Sequence, residues 1–520
     1  MTASRLFARH PRLHPRFLRL TLGISLAGML TGCAVGPDFK TPSAPASSAY
    51  TEHGQPGRTV AADGIAQHYA IGRNIPADWW TVFHSSHLNQ LIQQALTANP
   101  GIAAADAALR QAQEYVAAQK GYFYPTASIG YSLTRQQLAG NMGGNSPGLQ
   151  GNGSVVSVTN NASPPYVKPI IYNWHTANLS VGYTPDVFGA NSRQVESLQA
   201  QADAQQFQLE AARITLVSNL VAAALQEAAL VEQVKAARQV VSDNRQALDI
   251  VKKQFATGYA MRMDVAAQES ALAAAEAVLP PLDKQLEQTR DLIRVLVGKP
   301  QDQSVGPDFS MAEFSLPETL PLSLPADLVR QRPDVRVAEA QLHAASANVG
   351  VAIAARLPQF SINGIYGGEA TEFGQMFQTG GPFWMLLGNV TQPVFDGGTL
   401  LHRKRAADQA LVQAAAQYRA TVLTALQNVA DTLHAIRADA DGLAAADRAE
   451  QAARVTRDLT RKQQESGYVS ALVWLQAEQA WQQARMAQVQ AQSQRLGDTA
   501  ALYEALGGGW WQRPAVHKHP

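Results

Sequence analysis

Residues 188–260 read FGANSRQVESLQAQADAQQFQLEAARITLVSNLVAAALQEAALVEQVKAARQVVSDNRQALDIVKKQFATGYA, and the rest of the chain is organised around this stretch. No Pro interrupts Phe188 to Phe255. Apolar residues recur every seven positions at Val195, Ala202, Leu209, Leu216, Ala223, Leu230 and Ala237, and again at Val251. That is the period of one helix packed along another, not of a strand. The stretch predicts a single helix, which at 1.5 Å per residue is roughly 100 Å long. Gly258-Tyr259 marks a reversal, and a shorter helix returns to Gly298.

The same object occurs twice. Lys253-Gln254 precedes Gly258-Tyr259 as Lys462-Gln463 precedes Gly467-Tyr468, and Gly298 is matched by Gly507, both glycine pairs being offset by 209. In the second copy Leu426, Val429, Leu433, Ile436, Ala440 and Leu443 alternate spacings of three and four, again a packing seam. Upstream, Asn99-Pro100 opens a helix as Arg332-Pro333 does, and Pro125 and Pro358 each follow at the same distance. A tandem duplication with such long arms is an architecture rather than a catalytic motif.

Composition narrows the function classes. The chain has 520 residues with only 7% aromatics, which suits closely packed helices with narrow grooves. Residues 1–32 hold five Arg and no acid, leaving 37 basic against 41 acidic residues, a net of −4. That balance does not suggest nucleic acid or an anionic membrane surface as a partner. Arg5, Arg9, Arg12, Arg16 and Arg19 precede the apolar run Leu20 to Leu30, too short to span a bilayer and placed as in an export signal. Leu30-Thr31-Gly32-Cys33 follows at once. This tetrapeptide resembles a bacterial lipoprotein cleavage box, which implies cleavage between Gly32 and Cys33 and a covalent lipid on Cys33, the only cysteine.

Residues 33–77 are rich in Pro, Ser, Ala and Gly without helical period, as in an extended lipid-anchored tether. A first repeat is expected over 78–298 and a second over 325–507, with a linker at 299–324 and a tail at 508–520. His84 and His87 have no third ligand at suitable spacing, so they are read as solvated or capping groups rather than a metal pair. Period-two alternation predicts strands near 126–134 and 177–186 in the first repeat and near 359–367 and 383–394 in the second. The helical hairpins then occupy 188–298 and 396–507. The loop Arg135 to Thr176 is long and full of Gly, Asn, Ser and Pro, unlike its short counterpart Gly367 to Pro382. Long loops on one side of a strand pair are found in membrane barrels.

After the signal no run of 18 apolar residues is seen, so no spanning helix is expected and only a closed barrel could cross a bilayer. Four strands are too few to close one, since membrane barrels need about eight or more. Several chains must pool them.

Trp79-Trp80 through Asn99-Pro100, the stretch Leu324 to Arg336 (LPADLVRQRPDVR), Pro393-Val394-Phe395-Asp396-Gly397-Gly398 and Leu506-Gly507-Gly508-Gly509-Trp510 together resemble the outer-membrane factor lipoproteins of the TolC and NodT type, from about Cys33 to Trp511. The resemblance implies a mainly α protein with a small β part: a tandem-repeat, long-helix α-barrel protomer whose four strands enter a trimeric 12-stranded outer-membrane β-barrel. It implies a homotrimeric channel in the cell outer membrane, in contact with its lipid and extending into the periplasm. Its partners would be a periplasmic adaptor and an inner-membrane pump of the resistance-nodulation-division class, and its role efflux. A type I protein-secretion channel has the same fold and remains the alternative.

The resemblance also assigns positions. Gly258, Tyr259, Gly467 and Tyr468 become adaptor-facing tips, and Asp264, Leu472, Val473 and Gln476 the periplasmic aperture. Two departures matter. Met261 stands where the family often has a hydroxyl residue, which Ser470 keeps in the second copy, and Gln476 stands where an Asp is common. Asp264, equivalent to Val473 by the repeat offset, is the acid left at the mouth. No P-loop, zinc-spaced cluster or Gly-x-Ser-x-Gly elbow occurs, so neither catalysis nor a cofactor beyond the covalent lipid is expected.

Overall fold

The structure is a computed structural model describing residues 34–138 and 170–513, except residues 48, 53, 55, 56 and 63, together with the short pairs 148–149 and 155–156. The expected signal, Gly32, Cys33, most of the long loop and residues 514–520 of the tail lie outside the described residues. The elements in order are β1 (His68–Ile71), α1 (Ser86–Ala98), α2 (Pro100–Lys120), β2 (Thr126–Leu138), β3 (Ile170–Tyr183), α3 (Ala190–Ala256) and α4 (Arg262–Val297). They continue with β4 (Thr319–Leu322), α5 (Pro325–Gln331), α6 (Pro333–Ala354), β5 (Gln359–Ala370), β6 (Pro382–Thr391), α7 (Thr399–Glu465) and α8 (Ala471–Ala505).

The chain divides into two compact units. The first comprises Met1–Lys40, Gln113–Ala200 and His343–Gln413, and the second Thr41–Ala112, Gln201–Leu342 and Ala414–Pro520.

In the first unit β2, β3, β5 and β6 form one antiparallel sheet in that order. Residues directly opposite across a ladder share a face, so the register sorts the side chains. Ala127, Ile129, Tyr131 and Leu133 lie on the same face as Leu179 and Val181, Ile362 and Tyr366, and Trp384, Leu386 and Val390. The other face carries Ser128, Ser132, Thr134, Thr176, Asn178, Ser180, Ser361 and Asn363. Exceptions include Tyr172 and Trp174 of β3, Ile365 of β5 and, most of all, Phe383, Met385 and Leu387 of β6, which occupy the second face. The apolar run on β2, Ala127 to Leu133, is roughly 20 Å tall at 3.3 Å per residue, and Arg135 ends it.

The strands shift from their expected bounds for local reasons. Strand β3 starts at Ile170, because the β-branched and aromatic run Ile171-Tyr172-Asn173-Trp174 favours strand over the loop assigned to it. Strand β6 ends at Thr391, short of Pro393, which has no N–H for a ladder.

In the second unit the paired long helices dominate. Helices α3 and α7 are each 67 residues long, and α4 and α8 are 36 and 35. The heptad positions Ala202, Leu209, Leu216, Ala223, Leu230, Ala237 and Val251 are all buried, as are Val429, Leu433, Ile436, Ala440 and Leu443, while Val195 and Leu426, at the start of each series, are half-buried. The period therefore marks the packing seam. One stretch of α3 is apolar enough by composition to cross a bilayer, contrary to the expectation that none would be. It is 72% buried within the protein, as a packed core helix is.

Residues 41–77 are extended but not a free tether. Strand β1 pairs in parallel with β4, and the Tyr50 hydroxyl donates to the Ser323 carbonyl at 2.8 Å. Arg495 of α8, fully buried, reaches the Ala62 and Ile65 carbonyls, the Thr59 hydroxyl and the Gln67 amide oxygen. A buried guanidinium is tolerated only when its donors are satisfied. This segment supplies the acceptors. Trp79 then stacks on Tyr503 at 5.3 Å, and Ser85 caps α1 by accepting from the Leu88 N–H at 3.2 Å.

Candidate channel surfaces and mouth

The hairpin turns follow from glycine's freedom at positive φ. Gly258 and Gly467 have φ of 81° and 79°, and a Cβ at either would meet open space. The requirement is therefore conformational rather than steric. Each turn closes with a tyrosine N–H donating back to a helix carbonyl, Tyr259 to Gln254 and Tyr468 to Gln463, both at 2.8 Å. The tyrosine side chains are left 87% and 84% exposed. Large apolar side chains with nothing to pack on at a chain reversal are what a partner surface offers.

Next to the first turn, the Asp264 carboxylate accepts from the Met261 N–H at 2.7 Å. This satisfies one of the donors left over at the start of α4. Asp264 thus caps its helix while remaining exposed. At the second turn Ser470 occupies the N-cap position, but its hydroxyl makes no capping bond, against the expectation from sequence. Leu472 packs against the buried cluster of Leu248, Val251 and Val265. Val473 and Gln476 face outward, Val473 being 44% exposed. The four residues expected at the aperture are thus split: Leu472 joins the two hairpins, while Asp264, Val473 and Gln476 present a surface.

The hairpins are cross-linked by ion pairs between α3 and α4, Arg238 to Asp283 at 3.1 Å, Arg245 to Glu276 at 2.8 Å and Lys252 to Glu269 at 3.4 Å. All six side chains are largely exposed, so each pair adds only a few tenths of a kcal/mol. A tighter knot joins α7 and α8. The Trp481 indole N–H donates to Glu450 at 2.7 Å, and the Arg457 guanidinium lies 3.8 Å above the Trp481 ring. Nothing in spacing or composition singled out Trp481, Arg457 or Arg495. The roles of Trp481 and Arg457 depend on which helices become neighbours, and that of Arg495 on the extended segment laid against α8.

His84 and His87 do not form a pair. The His84 Nδ1 lies 2.6 Å from the Ser315 hydroxyl, whereas His87 stacks on Phe309 at 4.4 Å. Among the described residues no group of three or more His, Cys, Asp or Glu is placed to hold a metal ion.

A sheet with one apolar face, joined in sequence to two tandem hairpins of very long helices, defines an outer-membrane channel protomer. The outer membrane efflux protein family matches residues 91–299 and 324–508. The chain belongs to that family. It is similar to the pyoverdine export outer membrane protein OpmQ of Pseudomonas putida, with 29% identity over 83% of this chain and 88% of that one. It is also similar to the cation efflux system protein CusC of Escherichia coli, at 26% over 94% and 99%. Among solved structures, the outer-membrane channel OprN superposes with a TM-score of 0.75 at 26% identity, covering 92% of this chain and all of that one. The MtrE outer-membrane channel of Neisseria gonorrhoeae, at 22% identity and a TM-score of 0.74, shares the fold. The chain is accordingly an outer-membrane efflux protein, a tandem-repeat helical-barrel protomer with a membrane sheet.

Proposed function

We propose that the protein is the passive exit duct of a tripartite efflux system, working as a homotrimer whose three four-stranded sheets close a 12-stranded barrel. The observation that carries this reading is the register of the β2-β3-β5-β6 sheet. One face is apolar and the other mostly hydroxyl and amide, as in a wall between lipid and water. Its outer strands β2 and β6 have no further partner among the described residues. An open edge in lipid leaves unsatisfied backbone groups, each costing several kcal/mol, so further copies are the economical partner.

The exposed turns at Gly258-Tyr259 and Gly467-Tyr468 are proposed as the docking tips for a periplasmic adaptor, itself joined to an inner-membrane pump of the resistance-nodulation-division class. Asp264, Leu472, Val473 and Gln476 are proposed as the aperture. The names of OpmQ and CusC span pyoverdine export and cation efflux, which supports a duct whose selectivity is set by its pump. Leu30 to Cys33 supports cleavage after Gly32 and acylation of Cys33, and the matching hairpins, each a 67-residue helix followed by one of 36 or 35 residues, support two repeats at 78–298 and 325–507.

Reconstitution into planar bilayers tests the duct: discrete conductance steps are expected. A preparation of folded protein that inserts and never conducts would refute it. Cysteines at 259 and 468 should cross-link to the cognate adaptor, and links confined to the helix middles would refute docking at the tips. Fatty-acid labelling should tag the wild type and spare Cys33→Ala.

A further inference from the structure

The first described residues are held far more tightly than a flexible anchor needs. The Val35 N–H donates to the Phe188 carbonyl at 3.2 Å. Arg193, whose side chain is only 6% exposed, donates to the Val35 carbonyl at 3.1 Å and pairs with Asp38 at 2.8 Å and Glu196 at 2.7 Å. Phe39 stacks on His343 at 4.3 Å, and His343 lies 2.9 Å from the other Glu196 oxygen. Burial alone would push the Glu196 carboxyl up, but the bonds from Arg193 and His343 outweigh it and hold it below its ordinary value. The carboxylate therefore stays ionised and the clamp closed.

Three glycines let this strap lie flat. A Cβ at Gly36 would stand 2.5 Å from the Gly350 Cα, and one at Gly189 would stand 2.6 Å from the Ala34 Cβ. At Gly350 it would meet the Val35 carbonyl at 2.8 Å. Such approaches exclude any side chain. Ala34 is consequently fixed beside Gly189, where β3 gives way to α3.

Beside that point, lined by Phe188 and Ala190 on either side of Gly189, lies a cavity of about 340 Å³, the size of a small-molecule site. Tyr122, Phe188 and Phe360 give it an aromatic wall and Gln119, Asn191 and Gln194 an amide one. The Asn191 Oδ1 accepts from Gln119 at 2.6 Å. Its Nδ2 is buried without a partner, a costly state for an amide donor.

Resting on the reading of Cys33 as acylated, we propose that this cavity is the seat of the lipid on Cys33. The thioether sits on the residue directly before Ala34, so the attachment reaches no further than this neighbourhood. The ester and amide carbonyls that join the acyl chains are acceptors for the Asn191 amide. The first methylenes pass over Phe188, Phe360 and Tyr122, toward the apolar face to which Phe360 belongs. The volume takes the linkage and not whole chains, which continue into the bilayer. The strap thereby fixes where on the sheet rim the lipid enters.

The test is metabolic incorporation of a fatty acid carrying a photoreactive diazirine, irradiation of intact cells, and mass mapping of the purified full chain. The expected product is an intramolecular bridge from the acylated N-terminal peptide to peptides containing residues 119–122, 186–194 or 359–360. Arg193→Met and, independently, Gly36→Val should lower that bridge several-fold while leaving the extent of acylation unchanged. Bridges to other regions overturn the seat, as does a pocket modified only by free phospholipid, while acylation itself stands. A protein with no label on residue 33 overturns the acylation and the seat together.

Discussion

Asp439 is the side chain whose charge is least comfortable. Burial, with the Asp498 carboxyl facing it, pushes its pKa from 3.8 up to about 7, against a smaller opposing pull from Arg495. The folded state therefore holds a proton there that the unfolded chain releases near pH 4. Between those values the native form binds more protons, so stability falls as pH rises from about 4 to about 7 and is level above. Melting of the detergent-solubilised protein at successive pH values should show this slope. Asp439→Asn should make it shallower without flattening it, because burial also raises Glu227, Asp243 and Glu504. An unchanged slope in the variant would remove Asp439 from the account. Asp264 invites a test of a different kind, since its carboxylate caps α4 and also faces solvent at the proposed mouth. If it binds cations there, Asp264→Asn should weaken multivalent-cation block of the bilayer conductance. The amide oxygen can still accept from Met261, so the cap is kept. Leu472→Ser should raise the resting conductance by loosening the contact with Val251 and Val265. Block that persists in full in Asp264→Asn would leave that residue with its capping role alone.

Between the elements, glycines of the same φ differ sharply in what surrounds them. Gly298 ends α4 at a φ of 78°, and a Cβ there would stand 2.6 Å from the Ala98 carbonyl oxygen. Gly258 has a similar φ of 81° with nothing near. Ala at 258 should cost only the left-handed conformation, about 1 kcal/mol. Ala at 298 adds a clash with backbone that cannot turn aside, for a total on the order of 2–3 kcal/mol. Melting midpoints of the two variants should rank accordingly; equal midpoints would mean that the α1–α4 contact yields. Both glycines were legible in the sequence, because the offset of 209 repeated them. The difference between them was not, since it depends on Ala98, the last residue of α1, lying against the end of α4. The same division runs through the fold. The α3 and α7 seams could be read because a buried stripe imposes a period on its own helix. Strand β3 begins seven residues before its expected start, since the run Ile170 to Thr176 has strand propensity but no period-two alternation, and pairing with β2 completes it. The 41–77 segment carried no period at all. Its order comes from the pairing of β1 with β4 and from Arg495, over 400 positions away, two of whose four partners there are backbone carbonyls that any sequence supplies.

For the molecule as a whole the decisive feature is the pair of open strands. Within one chain β2 is bonded only to β3 and β6 only to β5 among the described residues. Each outer strand is ten or more residues long, and neither carries a Lys or a mid-strand Pro to discourage pairing. Strand β6 is also apolar on both faces from Phe383 to Leu387, as a strand covered on both sides would be. If β2 of one copy pairs with β6 of the next, cysteines at hydroxyl- or amide-bearing positions of the two edges can meet at the 4.5–5.5 Å separation of cross-strand neighbours. Ser128→Cys and Ser132→Cys, each combined with Asn389→Cys or Thr391→Cys, sample the possible registers on the polar face. The native Cys33 would be blocked by its lipid. Oxidation of membranes should link one combination into a closed three-chain species on denaturing gels, reversed by reductant, with the others largely monomeric. The sheet has only two edges, so pairing through both gives a ring, whereas a contact elsewhere on the surface gives dimers at most. A product that stops at two chains in every combination would mean that the sheet is completed by something other than its own copies.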